Sequence, residues 1–303
     1  MPALRPATLR LILALLCLLL AGGCSMVRVS YGHLDSVASW MAHDYFDLDP
    51  AQRDAFARRF EQLHAWHRRE QLPEYARFIA DIRQRAQRGL NADDLLWIFD
   101  GLRQRYARIA ERSAADAADL LATLSDTQIE TFRRQLNKDN RKFLQEHRSD
   151  ENEAARRRAA ERRALSRLRD WAGTLTDAQE QRLTELLREV PLIDRMRHED
   201  RLRRQREFLA LLESRREDRA RFSARVRDWL LNWEKNRPPE LARAFEESWK
   251  KRAAFYAAAD KLFTPAQRTH LTRRLQNYSE DFVALAGEGQ AVARSDCAKI
   301  AAC

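Results

Sequence analysis

His43, Asp44 and Asp47 form the densest group of side chains in this 303-residue chain that could do chemistry. His43 and Asp47 are four residues apart, a spacing that puts two side chains on one helix face. Asp44 adjoins His43, and Asp35 lies about two turns earlier. Such a set could hold a metal ion or act as acid and base. A zinc site takes three or four ligands, however, and carboxylates just before a helix start commonly serve the cap. A structural or solvated role is therefore the expected one. His64 and His67, beside Trp66, Arg68 and Arg69, outline a second metal pair and are expected on a solvated polar face. There is no G-x-S-x-G elbow, H-E-x-x-H pair, phosphate-cradling glycine loop or C-x-x-C in the sequence. No catalytic residue, metal or cofactor is expected. The alternative is an envelope enzyme acting on peptidoglycan or lipid, with His43 or Asp44 as its acid/base.

The elements that must position these residues are announced by a repeated phrase. LTDAQEQRL, 175–183, has near-copies in LDPAQRDAF at Leu48, LNADDLLWI at Leu90, LSDTQIETF at Leu124 and FTPAQRTHL at Phe263. Each begins with a large apolar residue and continues with Asp49, Asn91, Ser125, Thr176 or Thr264, side chains that accept from the free N–H groups of a helix start. Three residues on stand Gln52, Asp94, Gln128, Gln179 and Gln267, which complete capping boxes. Pro50 and Pro265 fall at the first helical position, where a missing N–H costs nothing. The phrase is a helix-start device, and its intervals are too irregular for a strict solenoid.

Composition agrees. Eight glycines in the whole chain cannot supply the hairpin turns of a β fold, and Ala, Leu, Arg, Glu and Gln dominate. An all-α body of antiparallel helical hairpins, elongated and with some long helices, is expected. Apolar spacing marks helices at Leu34–Tyr45, Phe56–Trp66 (ending before Pro73) and Tyr75–Ile82 (ending at Gly89). A long helix runs from Leu95 towards Leu120, and another from Ile129 can continue through the charged run 148–163 to Trp171. Further helices carry Leu183–Val190, Phe208–Trp233, Leu241–Phe255 and Leu271–Phe282. The seven tryptophans fall mostly at core spacing and are expected to pack rather than to serve as sugar platforms.

The first 24 residues stand apart. Arg5 and Arg10 precede an apolar run, 11–21, too short to span a bilayer, and Gly22-Gly23 precede Cys24. This layout is a secretory signal, and Leu20-Ala-Gly-Gly-Cys24 resembles a bacterial lipobox, with Ala21 standing where Leu is more usual. Expected are a signal peptide over 1–23, a lipidated linker over 24–33, a helical body over 34–285 with a possible division near 150–165, and a flexible tail over 286–303. Several acyl groups on Cys24 would anchor the chain stably, and Ser25, in place of Asp, directs the lipoproteins this resembles to the periplasmic face of the Gram-negative outer membrane. Cys297 and Cys303 could pair there as a disulfide. Losing Arg5 and Arg10 takes the formal charge from +10 to +8. In that compartment a basic surface meets anionic lipid and acidic protein, and no nucleic acid partner is expected.

Two family resemblances follow. The L-[ST]-x-x-Q phrase is similar to the motif of the periplasmic Spy/CpxP-like proteins, small helical envelope-stress factors, some with chaperone activity. A fuller match is to an uncharacterised family of Gram-negative lipoproteins, in which the lipidated Cys is followed by Tyr31, Asp35, Trp40 and an Asp44-Tyr45-Phe-Asp47-Leu48 stretch reaching Gln52. No activity comes with that resemblance. The function expected is binding: a scaffold or chaperone-like surface for an envelope protein or partly folded client, with the Arg-rich stretches 156–163 and 201–206 as candidate contacts. A fixed subunit of an envelope complex is a further alternative.

Overall fold

A computed structural model of the chain describes residues 26–147 and 151–300, with side chains to Glu288. The described residues are helical and include no strand. In order they are α1 (Met26–Gly32), α2 (Leu34–Phe46), α3 (Pro50–Trp66), a π-turn (His67–Gln71), α4 (Leu72–Arg88), α5 (Ala92–Ala122) and α6 (Asp126–His147). Then come α7 (Glu153–Ala172), α8 (Asp177–Leu187), α9 (Asp194–Glu213), a 3-10 turn (Ser214–Arg216), α10 (Arg219–Leu231), α11 (Pro239–Lys261) and α12 (Pro265–Ile300). The all-α expectation holds. Cys24 and Cys303 lie outside the described residues, as does the side chain of Cys297.

Every copy of the phrase opens a helix, and four of the five also meet in pairs. Gln52 Oε1 accepts from the N–H of Asp49, while its Nε2 donates to Thr123 O at 3.0 Å and Gln128 Oε1 at 3.2 Å. Gln128 does the converse: its Oε1 accepts from Ser125 N, and its Nε2 donates to Asp47 O and Gln52 Oε1. Gln179 and Gln267 repeat the arrangement, each donating to the other's Oε1 and to Leu262 O or Thr174 O at 2.7 Å. In each case the receiving carbonyl lies two residues before the opposing cap. Only an amide can do this, because one group must accept for its own cap and donate across. Asp94, at the same place in the remaining copy, has no donor to offer; it takes Arg85 and Arg88 instead. Its burial pushes the carboxyl pKa up, but the bonds from Arg85 and the Asn91 N–H, with the charges of both arginines, carry it below the ordinary value.

One core lies beneath each clasp. Leu48, Leu124, Phe132, Leu212, Phe222 and Val226 pack under the first; Leu168, Leu175, Leu183, Leu187 and Phe255 pack under the second. Antiparallel pairings join the helices. Ser279 Oγ donates to Ala76 O and Arg268 Nη1 to Ala86 O, setting α12 against α4. Tyr106–Leu230, Glu111–Arg227 and Asp119–Arg219 set α10 against α5. Phe132–Phe208 and Asn140–Gln205 set α9 against α6.

Several expectations need correction. The helix begun at Pro50 does not end before Pro73. It passes through the π-turn, where Leu72 N–H bonds to His67 O, and the wider turn admits a proline that an α-helical interior would exclude. The helix from Asp126 ends at His147, and Asn152 caps a fresh helix by accepting from Ala155 N at 3.0 Å. The run after the break packs inward at Ala155, Arg156 and Ala159, which are buried. The helix α12 continues from Leu285 and Ala286, both buried, to Ile300, through the stretch read as a tail. The tryptophans do pack, at the rims of the cores: Trp97 and Trp229 are partly buried against them, while Trp40 is 65% exposed.

The long helix α5 shows why apolar spacing misleads here. Its buried stripe is made of small residues, Gly101, Ala110, Ala114 and Ala118, ending in Leu121. These let α4 and α10 approach closely. A Cβ built on Gly101 would run into the ring of Phe78, which also carries Arg105 stacked on it at 3.6 Å. Gly101→Ala should therefore lower stability by about 1–3 kcal/mol through overpacking, against the ~1 kcal/mol that alanine gains in helix propensity. A chemical denaturation series read by circular dichroism decides it; a stabilised variant would show that Phe78 moves aside freely.

Candidate binding groove

Because α5 turns its small-residue stripe inward, its large apolar stripe faces elsewhere. Leu102 is 54% exposed and Tyr106 45%. Opposite them Pro238 and Pro239 end the loop after α10 and start α11, whose Phe245 and Trp249 point back towards α5. Between the two helices opens a cavity of about 1260 Å³ lined by Leu96, Phe99, Leu102, Tyr106, Trp233, Phe245 and Trp249, with cations at its edge. Phe99 and Trp249 pack with tilted rings, centroids 4.7 Å apart, leaving Trp249 45% exposed.

Arg237 and Trp233 of its lining are held by a charge network built on Asp200 of α9. Both oxygens of this buried carboxylate are taken: Arg203 donates at 2.8 Å and Arg237 at 3.0 and 3.2 Å. Burial raises the Asp200 pKa, but the bonds and charges of Arg237 and Arg203 outweigh it and hold the carboxyl below its usual range. Arg203 also donates to Trp233 O at 2.9 Å, and Arg237 stacks on Phe245 at 4.3 Å. The loop 232–238 is thus tied down through one aspartate. Arg204, on the Trp233 ring at 4.3 Å, has no carboxylate of the described residues within ion-pair distance, and burial lowers its pKa. Five cationic and three acidic side chains line the groove. Glu234 and Glu246 are already paired, with Arg103 and Lys250 respectively.

The residues singled out by sequence fall elsewhere. Asp47 does not share a helix face with His43: α2 ends at Phe46, and Asp47 adopts the left-handed conformation, φ 51°, its N–H bonding to His43 O. Asp44 is exposed and accepts from Gln135 at 3.1 Å. Tyr45 donates to Asp139, the chief reason its pKa rises to about 12, with burial second. Leu48 is core, Asp35 is exposed, and His43 Nδ1 is buried without a bond. The caps Asp49, Asn91, Ser125, Thr176 and Thr264 each accept from an N–H three residues on.

His64 and His67 are not on a solvated face. Tyr31 of α1 bonds His67 Nδ1 at 2.8 Å and lies 4.6 Å from the His64 ring. The Tyr75 hydroxyl stands 3.3 Å from His67 Nε2. Burial, with His64 second, pushes the His67 pKa down to about 4, so its ring is neutral and bonded at both nitrogens. Among the described residues no three metal-ligating side chains converge. Of the two Arg-rich stretches, 201–206 supplies Arg204 to the groove lining, while 156–163 faces a different cavity.

Residues 44–241 match a family of unknown function, DUF6279. The chain belongs to this family. The matched span takes in the first glutamine clasp, all of α5, the Asp200 network and Trp233; Tyr31, Asp35, Trp40, Phe245, Trp249 and the fifth copy of the phrase lie outside it. No curated protein and no solved structure matches the chain.

Proposed function

We propose that this protein is a binding protein of the Gram-negative envelope, held to the outer membrane through acyl chains on Cys24 with its helical body facing the periplasm. The anchoring rests on the Arg5-to-Cys24 segment of the sequence; no helix among the described residues is long and apolar enough to cross a membrane. The groove between α5 and α11 carries the binding role. At about 1260 Å³ it exceeds the ~300–1,000 Å³ typical of small-molecule pockets and suits a helix or extended segment laid along its length. Its occupant is an amphipathic, acidic stretch of a partly folded client. Leu102, Tyr106 and Trp249 would take the apolar face, and the excess of arginine and lysine at the edge would draw in the acidic one. No residue of the groove is assigned a catalytic role.

The test is a titration of the full chain with a labelled amphipathic peptide bearing glutamates on its polar face. Trp249→Ala should weaken binding by tenfold or more, since an aromatic anchor is worth about 2 kcal/mol or more. Added salt should weaken it further. Equal affinity for a lysine-bearing peptide of the same apolar face would contradict the charge argument.

A further inference from the structure

The second Arg-rich stretch lines a cavity that shares no residue with the groove. It lies where α7, the connection before α9, the start of α9 and α11 meet, and it brings together Arg157, Arg163, Arg167, Arg197 and Arg252. Only two carboxylates, Glu161 and Asp194, line it with them.

These guanidiniums are poorly neutralised. Arg157 gives its Nη1 to the backbone carbonyls of Leu187 and Val190, at 3.2 and 2.7 Å, which carry no full charge. Among the described residues Arg252 bonds only the Ser248 hydroxyl, at 3.1 Å. Arg163 donates to Glu146 O and stands 3.6 Å from Asp194, the one ion pair of the group among the described residues. Among the described residues the side chains of Arg167 and Arg197 have no hydrogen-bond or ion-pair partner. Burial, and then the charge of Arg197, lowers the pKa of Arg252, with Arg167 adding to it; burial likewise lowers that of Arg163. Like charges crowded beside a partly desolvated guanidinium are unfavourable unless an anion joins them. The twenty-residue helix α9 also begins here, and its Ile193 cap offers no side-chain acceptor to the first-turn N–H groups.

Size narrows the ligand. The cavity holds about 60 Å³, several times the ~10–15 Å³ that one water needs, and so has room for a tetrahedral oxyanion of five heavy atoms. Planar guanidiniums match phosphate oxygens in paired hydrogen bonds.

We propose that this cavity binds a phosphate group, with Arg163, Arg197 and Arg252 as its principal contacts, borne on either a soluble phosphomonoester or a lipid headgroup.

Calorimetric titration of the full chain, at constant ionic strength, with inorganic phosphate and with a short-chain, micelle-free phosphatidic acid tests this. Saturable one-site binding is expected, weakened tenfold or more in Arg252→Gln and in the exposed Arg197→Gln, and unchanged in Arg243→Gln. Equal affinities for the two probes assign the site to the phosphate alone; tighter phosphatidic acid binding assigns it to a headgroup. No saturable heat from either probe, or Arg197→Gln and Arg252→Gln proteins that bind as the parent does, would overturn the proposal.

Discussion

Replacing Asp200 by alanine is expected to cost about 3–5 kcal/mol of folding stability, the range for removing one partner of a buried ion pair. Arg203 and Arg237 both end on this carboxylate, and the side chains of Asp200 and Arg237 are only 6% and 7% exposed. The substitution leaves Arg203 only Glu207 and Arg237 only Glu234 as carboxylate partners, and loosens the loop that carries Trp233. At ~2–4 °C per kcal/mol for a domain of this size, the melting temperature should fall by about 6–20 °C. The acid limb should change too. Because the folded pKa of Asp200 lies below the ordinary aspartate value, its contribution is complete above about pH 4 and lost as pH falls through the folded pKa. The Asp200→Ala protein should therefore lose less stability than the parent between about pH 5 and 2, measured by urea midpoints at stepped pH. Parallel curves would show that the network contributes nothing through its charge.

Gln52→Ala should be nearly as severe, at about 2–4 kcal/mol, since a buried polar group left without a partner costs ~1–3 kcal/mol. Gln52 is buried, and its loss deprives Asp49 N, Thr123 O and Gln128 of partners at once. Gln128→Ala in the same chain should add little, giving a coupling of about 1–3 kcal/mol in the double-mutant cycle. Gln52→Ala combined with Gln267→Ala should instead be additive, because the two clasps share no hydrogen-bond partner. Coupling across the clasps, or its absence within one, would refute the pairing.

These two predictions differ in how far the sequence foretells them. Each cap is local: a side chain at one position and an N–H three residues on decide it, so five helix starts can be read from nine-residue phrases. That the glutamines then meet in pairs is not local, since Gln52 and Gln128 are 76 residues apart. The one hint was that the copy with Asp94 lacks an amide. The π-turn was hidden because Pro73 signals a break wherever the chain does not widen to admit it. The groove was hidden because large apolar spacing is normally core. On α5 the informative residues were the small ones, Gly101, Ala110, Ala114 and Ala118, whose own spacing marks the face that packs closely and so turns Leu102 and Tyr106 outward. The His43 and Asp47 pairing failed for a backbone reason, the left-handed residue that ends α2.

The central claim is that the face between α5 and α11 holds acidic, apolar segments of other chains. Photocrosslinking in living cells tests it most directly, with the probe placed singly at Leu102, Tyr106 or Trp249 and, as a control, at the exposed Arg182 far along the sequence on α8. The account predicts adducts at the three groove positions with many envelope proteins, joined through acidic amphipathic segments, and few at Arg182. A single stoichiometric partner, or adducts no more frequent in the groove than at Arg182, would contradict it.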